Sequence, residues 1–486
     1  MLFNSLDFAV FLPIIFILYW FIFNKNIKLQ NLLIVCASYL FYGWWDWKFL
    51  SLIFFSTLID YFIGRKLFTE EKTTNRKILL WSSITINLGF LGFFKYYNFF
   101  VENFITAFTF FGCNINANSL NIILPVGISF YTFQTLSYSI DVYKKKLEPT
   151  KDFIAFAAFV SFFPQLVAGP IERATNLLPQ FYKKRTFNYS NAIDGLRQIL
   201  WGLFKKVVIA DNCADYANLI FNNYTDYSGS VLVLGAVFFA FQIYGDFSGY
   251  SDIAIGTARL FSFNLMQNFA FPYFSRDIAE FWRRWHISLS TWFRDYLYIP
   301  LGGSKGGTFN KIKNTFIIFI VSGFWHGANW TFIVWGALNA IYFLPLLLLD
   351  KNRKNLTIVA SNKVFPTVTE FIKIGITFSL TVFAWIFFRA ENINHAFNYI
   401  NKIFSTSLFI LPKGSDFVSI SLHPYAISSL LFLFVLIEWF SRGEKHFIFQ
   451  SNTKKALFFR WIYYFLITMI ILLFSGSKQE FIYFQF

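Results

Sequence analysis

The sequence predicts an all-α protein that crosses a membrane many times. Hydrophobic residues make up 56% of its 486 residues, charged residues make up 14%, and mean hydropathy is +0.49. One soluble core does not need so large an apolar share. Apolar runs near the roughly 20 residues that span a bilayer recur along the chain, for example at 9–23, 331–349 and 458–474. By this criterion we expect about ten to thirteen transmembrane helices.

Helices are expected because these runs are too long and too uniformly apolar for a transmembrane β-barrel, in which apolar and polar residues alternate. No polar segment of domain size and no low-complexity linker interrupts them. Residues 1–486 are therefore predicted to form a single integral membrane domain.

The chain carries a formal charge of +16, which in a soluble protein would suggest nucleic acid as a partner. Here the basic residues cluster in short polar breaks, as at 65–77, 183–185 and 351–355. This pattern is typical of cytoplasmic loops, which also attract anionic lipid headgroups. We expect membrane lipid as a partner, and no nucleic acid.

Two segments are irregular. Residues 156–173 are interrupted by prolines and a glycine, which favours a re-entrant hairpin over a clean span. Residues 281–303 are too charged to cross lipid but rich in aromatic side chains, which indicates an interfacial or re-entrant helix.

His326 is predicted to lie inside the membrane. It follows Lys313 by thirteen residues, a rise of about 20 Å if Lys313 marks the cytoplasmic surface. The adjacent Gly323 and Gly327 allow close helix contact or a break beside a cavity. An ionisable group at such depth indicates a functional site, while a histidine that only hydrogen-bonds two helices is the alternative.

A second histidine, His286, lies in the motif FWRRWH. On a continuous helix it would share one face with Trp282 and Ser290. Arg283, Arg284 and Arg294 could then reach lipid headgroups or an anionic substrate. An anchor of aromatic and arginine side chains at the interface is the alternative. His395, His423 and His446 are assigned to loops.

Common catalytic motifs are absent from the sequence, including GxSxG, HExxH, GxGxxG and a phosphate-binding loop. Three widely spaced cysteines indicate no metal site. Asp246 and Asp252 are six residues apart, so they are expected to hold a turn or pair with arginine rather than act as an acid–base pair. A neutral imidazole that acts as a base is the chemistry that remains.

Two motifs carry a resemblance to a known family. WRRWHISLSTWFRDYLYIPLGG (282–303) and SGFWHGANWTFIVWG (322–336) resemble the membrane-bound O-acyltransferase family, in its branch of bacterial polysaccharide O-acetylases. The resemblance extends along nearly the whole chain, through the segments 1–20, 124–143, 162–173, 242–256 and 481–486.

The resemblance implies a helical fold around a central funnel or tunnel, with the catalytic motifs within 242–336. The essential histidine of the family matches His326, and its second histidine matches His286. The donor would be acetyl-CoA or an acylated carrier on the cytoplasmic side, with no bound cofactor. Acyl groups would pass outward across the bacterial inner membrane to polysaccharide hydroxyls, together with an extracytoplasmic partner similar to SGNH esterases.

In this interpretation His326 takes the proton of the attacking hydroxyl, and His286 orients the donor or stabilises the oxyanion. Arg283 and Arg284 would attract donor phosphates, and Trp325 and Asn329 would shape the substrate site. A transporter or flippase, a non-catalytic export scaffold, and D-alanyl or peptidoglycan acyl transfer within the same family stay open as alternatives.

Overall fold

The computed structural model describes residues 1–111, 119–361, 363–417, 420, 422–444 and 454–482, which form helices and no strand. The prediction of an all-α fold is confirmed. The α-helices, in chain order, are α1 Leu6–Ile17, α2 Ile27–Gly43, α3 Leu50–Thr69, α4 Thr73–Leu91, α5 Tyr97–Phe110, α6 Ile128–Tyr143, α7 Phe153–Ser161, α8 Phe163–Leu166, α9 Ala174–Leu177, α10 Tyr189–Leu203, α11 Asp211–Asn222, α12 Gly229–Leu260, α13 Ile278–Arg284, α14 Ile287–Phe293, α15 Gly307–His326, α16 Trp330–Leu348, α17 Val368–Arg389, α18 Ile393–Ile403, α19 Pro424–Ser441 and α20 Lys454–Leu473.

The protein is a multi-pass membrane protein. Within the described part of the chain, six helical stretches are long and apolar enough to cross a membrane: Trp47–Thr69, Thr73–Phe110, Gly229–Leu260, Trp330–Leu348, Val368–Arg389 and Pro424–Ser441. Further apolar helices are shorter, namely Leu6–Ile22, Ile27–Gly43, Phe153–Leu166 and Arg460–Leu473. The larger number predicted from sequence also counted apolar runs that form these shorter helices.

The described residues divide into two compact units. The first unit comprises residues 1–195 and 257–266, and the second comprises residues 196–256 and 267–486. A single functional membrane domain over 1–486 stays a prediction.

In the first unit, α3, α4 and α6 are joined through the buried carboxylate of Asp60. Its Oδ1 accepts hydrogen bonds from Ser83 at 2.5 Å and Ser139 at 2.8 Å, and its Oδ2 accepts one from Asn87 at 2.8 Å. These donors replace the water that the carboxylate loses on burial. The segment 156–173 does not form one span, because α7 ends at Ser161 and the short α8 follows it.

In the second unit, α15 and α16 form a closely packed antiparallel pair. A Cβ atom added to Gly323 would lie 2.2 Å from the carbonyl oxygen of Phe332, and one added to Gly336 would lie 2.4 Å from that of Phe319. Only glycine permits backbones to approach so closely. This contact places the carboxyl end of α15, and therefore His326, against the start of α16.

Three histidines assigned to loops have different outcomes. His395 lies in α18, where its ring stacks on Tyr224 with 4.8 Å between centroids, so the loop assignment is wrong for this residue. Its apolar neighbours at helical spacing place it on the buried face. His423 is the N-cap of α19. His446 and residues 483–486 lie outside the described residues.

The close contact of α15 and α16 predicts that Gly323→Ala destabilises the protein. The added methyl group meets a backbone oxygen that cannot turn away, so we expect a loss of about 1–3 kcal/mol, measured by thermal unfolding in detergent. Gly375→Ala in α17 is the matched control, because nothing lies within 4 Å of its added Cβ. Equal stability of the two variants would contradict the packing described.

Candidate active site

His286 lies at a break between two short helices. α13 ends at Arg284, and His286 has the left-handed backbone angles φ 43° and ψ 55° before α14 begins at Ile287. This conformation is uncommon for a residue other than glycine and is frequent at functional sites. The predicted common helical face of Trp282, His286 and Ser290 is therefore wrong, because the helix does not continue through His286.

The imidazole of His286 is almost completely enclosed, with 1% of its surface exposed. Its Nδ1 lies 3.1 Å from Oδ1 of Asn268, and the Phe247 ring meets it edge-on with 4.5 Å between centroids. Burial lowers the pKa of His286 to about 3, so the ring is neutral at physiological pH. Its Nε2 is buried without a hydrogen-bonding partner among the described residues.

His326 is the last residue of α15 and is 4% exposed. Three aromatic rings surround its imidazole, with centroids at 4.9 Å for Trp325, 5.2 Å for Trp335 and 5.3 Å for Phe388. Each is packed at a steep angle to the imidazole, which holds the ring in one orientation.

Trp325 brings the two histidines together. Its ring centroid lies 4.9 Å from that of His326 and 6.2 Å from that of His286. Two histidines that are forty residues apart in sequence thus contact one indole within the second unit. This is the arrangement expected if both contribute to one site.

A large cavity begins one helical turn from His326. Its volume is about 670 Å³, and Ser322, Phe319 and Trp282 contribute to its wall. Ser322 lies four residues before His326, on the same side of α15. That His326 itself contacts an aqueous passage stays a prediction.

The four predicted substrate-binding residues differ in their surroundings. Arg283 lines the cavity while donating to the carbonyl oxygens of Asn352 at 2.7 Å and Asn355 at 2.8 Å. Arg284 forms an ion pair with Glu280 at 2.8 Å. The charge of Arg284 is therefore neutralised within the protein.

Both polar atoms of the Asn329 amide form hydrogen bonds within the protein. Its Oδ1 accepts from the backbone nitrogen of Thr331 and caps α16, while its Nδ2 donates to the Glu391 carbonyl at 2.7 Å. Trp325 is the aromatic contact between the histidines. A direct role for these residues in substrate binding stays a prediction.

The second unit contains a buried group of ion pairs that was not predicted from the sequence. Lys206 contacts Asp211 and Asp246, each at 2.8 Å, and Lys205 contacts Asp252 at 2.5 Å. The two aspartates of α12 therefore pair with lysine, whereas a backbone turn or an arginine partner was expected. Asp246 also accepts from the backbone nitrogen of Ile482 at 2.7 Å. Two lysines within the apolar run LFKKVVIA were the available signal, since buried charges need opposite partners.

A second cavity, of about 20 Å³, lies beside these ion pairs. Lys205, Asp252, Ser251 and Asn268 are among the residues that line it. This volume is sufficient for one water molecule. Asn268 was also missed, because it lies in an irregular segment where no periodicity marks it.

The buried Glu280 generates a stability prediction. It is 1% exposed and binds both Arg276 and Arg284, so Glu280→Ala leaves Arg284 without its carboxylate and leaves Arg276 only the longer carboxylate contact to Glu370 at 3.4 Å. We expect a loss of about 3–5 kcal/mol in unfolding free energy. The control Asp295→Ala removes the partner of the more exposed Arg294, and we expect a loss of at most about 1 kcal/mol. Chemical denaturation of both variants measures the difference, and equal losses would contradict it.

Comparison with known proteins finds a matching family model and several relatives. The family model described as MBOAT, membrane-bound O-acyltransferase family, matches residues 146–387. The probable alginate O-acetylase AlgI of Pseudomonas putida is 38% identical over 506 aligned positions, which cover 100% of both chains. The peptidoglycan O-acetyltransferase of Helicobacter pylori is 34% identical over 528 positions, covering 100% of this chain and 98% of the relative. The teichoic acid D-alanyltransferase of Bacillus subtilis is 27% identical over 286 positions, covering 57% of this chain and 71% of the relative.

Proposed function

Since this chain belongs to the membrane-bound O-acyltransferase family and is a membrane acyltransferase, we propose that it transfers acetyl groups from a thioester to the hydroxyls of a bacterial cell-envelope polysaccharide. The full-length relatives in Pseudomonas putida and Helicobacter pylori are both named for O-acetyl transfer, one to alginate and one to peptidoglycan. The observation that carries the proposal is that two histidines contact the Trp325 ring beside a large cavity.

In the proposed reaction, His326 accepts the proton of an acceptor hydroxyl. The hydroxyl oxygen forms a bond to the thioester carbonyl carbon, and the tetrahedral intermediate then loses its carbon–sulfur bond. The imidazolium returns the proton to the leaving thiolate, so the ring is regenerated. General base catalysis of this kind contributes about 10²–10⁴ in rate.

The cavity of about 670 Å³ suits a phosphate-bearing thioester such as acetyl-CoA or an acylated carrier. Arg283, Arg294 and Arg353 lie in its wall, together with apolar side chains that include Phe343 and Leu356. Guanidinium groups bind phosphates, and the apolar wall accommodates the uncharged arm that carries the thioester. Arg353 is better placed for the donor than Arg284, because Arg353 lines the cavity whereas Arg284 is paired with Glu280.

We place the protein in the bacterial inner membrane with the donor on the cytoplasmic side. A CoA thioester does not cross a bilayer, so a base between the two faces would let donor and acceptor approach from opposite compartments. An extracytoplasmic protein similar to SGNH esterases would complete the transfer to the polymer. This partner and the polymer are supported by the family relationship alone.

Two other functions make different predictions. A transporter or flippase would move its substrate without cleaving a bond, and a scaffold would do neither. D-alanyl transfer is less favoured, because the relative with that name matches 57% of this chain. Purified protein in vesicles with labelled acetyl-CoA separates these functions, since release of free CoA requires cleavage of the thioester.

The role of His326 predicts that His326→Ala lowers the rate of acetyl transfer by about 10²–10⁴ while the protein still folds and inserts. The rate of CoA release measures the loss. His423→Asn is the matched control, because His423 caps α19 and asparagine is also a good cap. A His326→Ala protein with the activity of the control would refute the proposed base.

The position of Arg353 predicts a loss specific to donors with phosphate groups. Arg353→Ala should raise the KM for acetyl-CoA about fivefold, equivalent to about 1 kcal/mol at an exposed site. A short acetyl thioester without phosphates should be used by variant and wild type alike. Lys354→Ala, which removes the adjacent exposed charge, is the control and should leave both KM values unchanged.

A further inference from the structure

The surroundings of Asn268 determine the orientation of its amide. Its Oδ1 lies 3.3 Å from the backbone nitrogen of Ser288 and 2.9 Å from the Ser288 hydroxyl. A backbone N–H can only donate, so the atom that faces it must be the carbonyl oxygen of the amide. The amide nitrogen points the other way and donates to Ser251 at 3.0 Å.

This orientation determines which nitrogen of His286 carries the proton. Oδ1 of Asn268 can only accept a hydrogen bond, and it lies 3.1 Å from Nδ1 of His286. The Ser288 hydroxyl also lies 3.4 Å from Nδ1, but its proton is donated to Oδ1 of Asn268 at the shorter distance of 2.9 Å. Nδ1 must therefore donate, since two lone pairs facing each other would repel. In the neutral ring the lone pair then belongs to Nε2.

We propose that Asn268 is a positioning residue that holds His286 in the Nδ1–H tautomer, so that Nε2 accepts a hydrogen bond from a hydroxyl or an amide N–H of the bound substrate. Of the two roles that the sequence left open for His286, this tautomer supports orientation of the substrate. It opposes stabilisation of the oxyanion, which needs a donor. The inference rests on the proposed function for the identity of the substrate, but the tautomer itself does not.

A hydrogen bond from the substrate to the buried Nε2 of His286 would be energetically favourable. A buried acceptor without a hydrogen bond costs about 1–3 kcal/mol, and Nε2 has no partner among the described residues. Both proposed substrates carry suitable donors, namely the hydroxyls of the acceptor other than the one that reacts, and the amide N–H groups of the arm that carries the thioester. Either one would satisfy Nε2 on binding.

Nuclear magnetic resonance of the wild-type protein tests the tautomer without turnover. Protein in lipid bilayers with ¹⁵N-labelled histidine contains five imidazoles, and the signal missing from His286→Gln identifies His286. We expect a protonated Nδ1 and an unprotonated Nε2. A proton on Nε2 would overturn the inference, whether or not the protein transfers acetyl groups. Absence of acetyl transfer with the expected tautomer would instead remove only the proposed function.

Kinetics test whether Asn268 acts through His286. Asn268→Ala should lower kcat about 10–100-fold with little change in KM. The double variant with His286→Ala should be no slower than His286→Ala alone, because the positioning effect requires the imidazole. Additive losses in the double variant would mean that Asn268 has a separate structural role and would overturn the inference.

A charged replacement gives a readout that a purely structural residue would not. In Asn268→Asp the carboxylate still accepts from Nδ1 but raises the pKa of His286, so the ring loses its Nε2 lone pair at a higher pH. In the pH profile of kcat, the fall on the acid side, called the acid limb, should therefore occur at a pH higher by about one unit or more. Asn392→Asp, a new carboxylate at the cap of α18, should leave that limb in place. An unshifted acid limb in Asn268→Asp would overturn the inference even if Asn268→Ala did not fold.

Discussion

Burial of polar side chains away from water is the constraint on which the second unit depends. A charge or amide without water needs a partner inside the protein, and the position of one partner then fixes the other. Lys206 lies between Asp211 and Asp246, and Lys205 pairs with Asp252. These contacts join α12 to the chain just before α11. These ion pairs thereby fix the position of α12, and the segment that contains His286 packs against this helix.

Asn268 connects that fixed helix to His286. Its side chain donates to Ser251 of α12 and accepts from Ser288 of α14, and its carbonyl oxygen accepts from the backbone nitrogen of Ile287 at 2.9 Å. Main chain and side chain of one residue therefore hold the turn at His286 from two directions. A left-handed backbone conformation at a residue other than glycine persists only when surrounding contacts stabilise it. These hydrogen bonds stabilise that conformation at His286.

The sequence was sufficient for the fold class, because long apolar runs have few stable solutions in a membrane other than helices. It also singled out His326 and His286 as candidates, since an ionisable side chain in apolar surroundings is costly, and the structure places both rings beside Trp325. It did not reveal that the helix breaks at His286, because helical periodicity continues through FWRRWHISLS and no proline or glycine marks the turn. Asn268 was not predictable for a related reason. Its importance comes from contacts with residues 17 and 20 positions away, which no local pattern records.

The two histidines differ in the helices that adjoin them, and this difference supports different roles for them. His326 ends the 20-residue helix α15, where the helix dipole stabilises a positive charge by about 0.3–1 kcal/mol. The dipole offsets part of the cost of burying the imidazolium that the proposed reaction forms. His286 instead lies between the carboxyl end of α13 and the first turn of α14, where the two helix dipoles oppose each other and burial disfavours a positive charge. These surroundings support the proposed division of roles, with proton transfer at His326 and hydrogen-bond acceptance by a neutral ring at His286, although both rings contact the same indole.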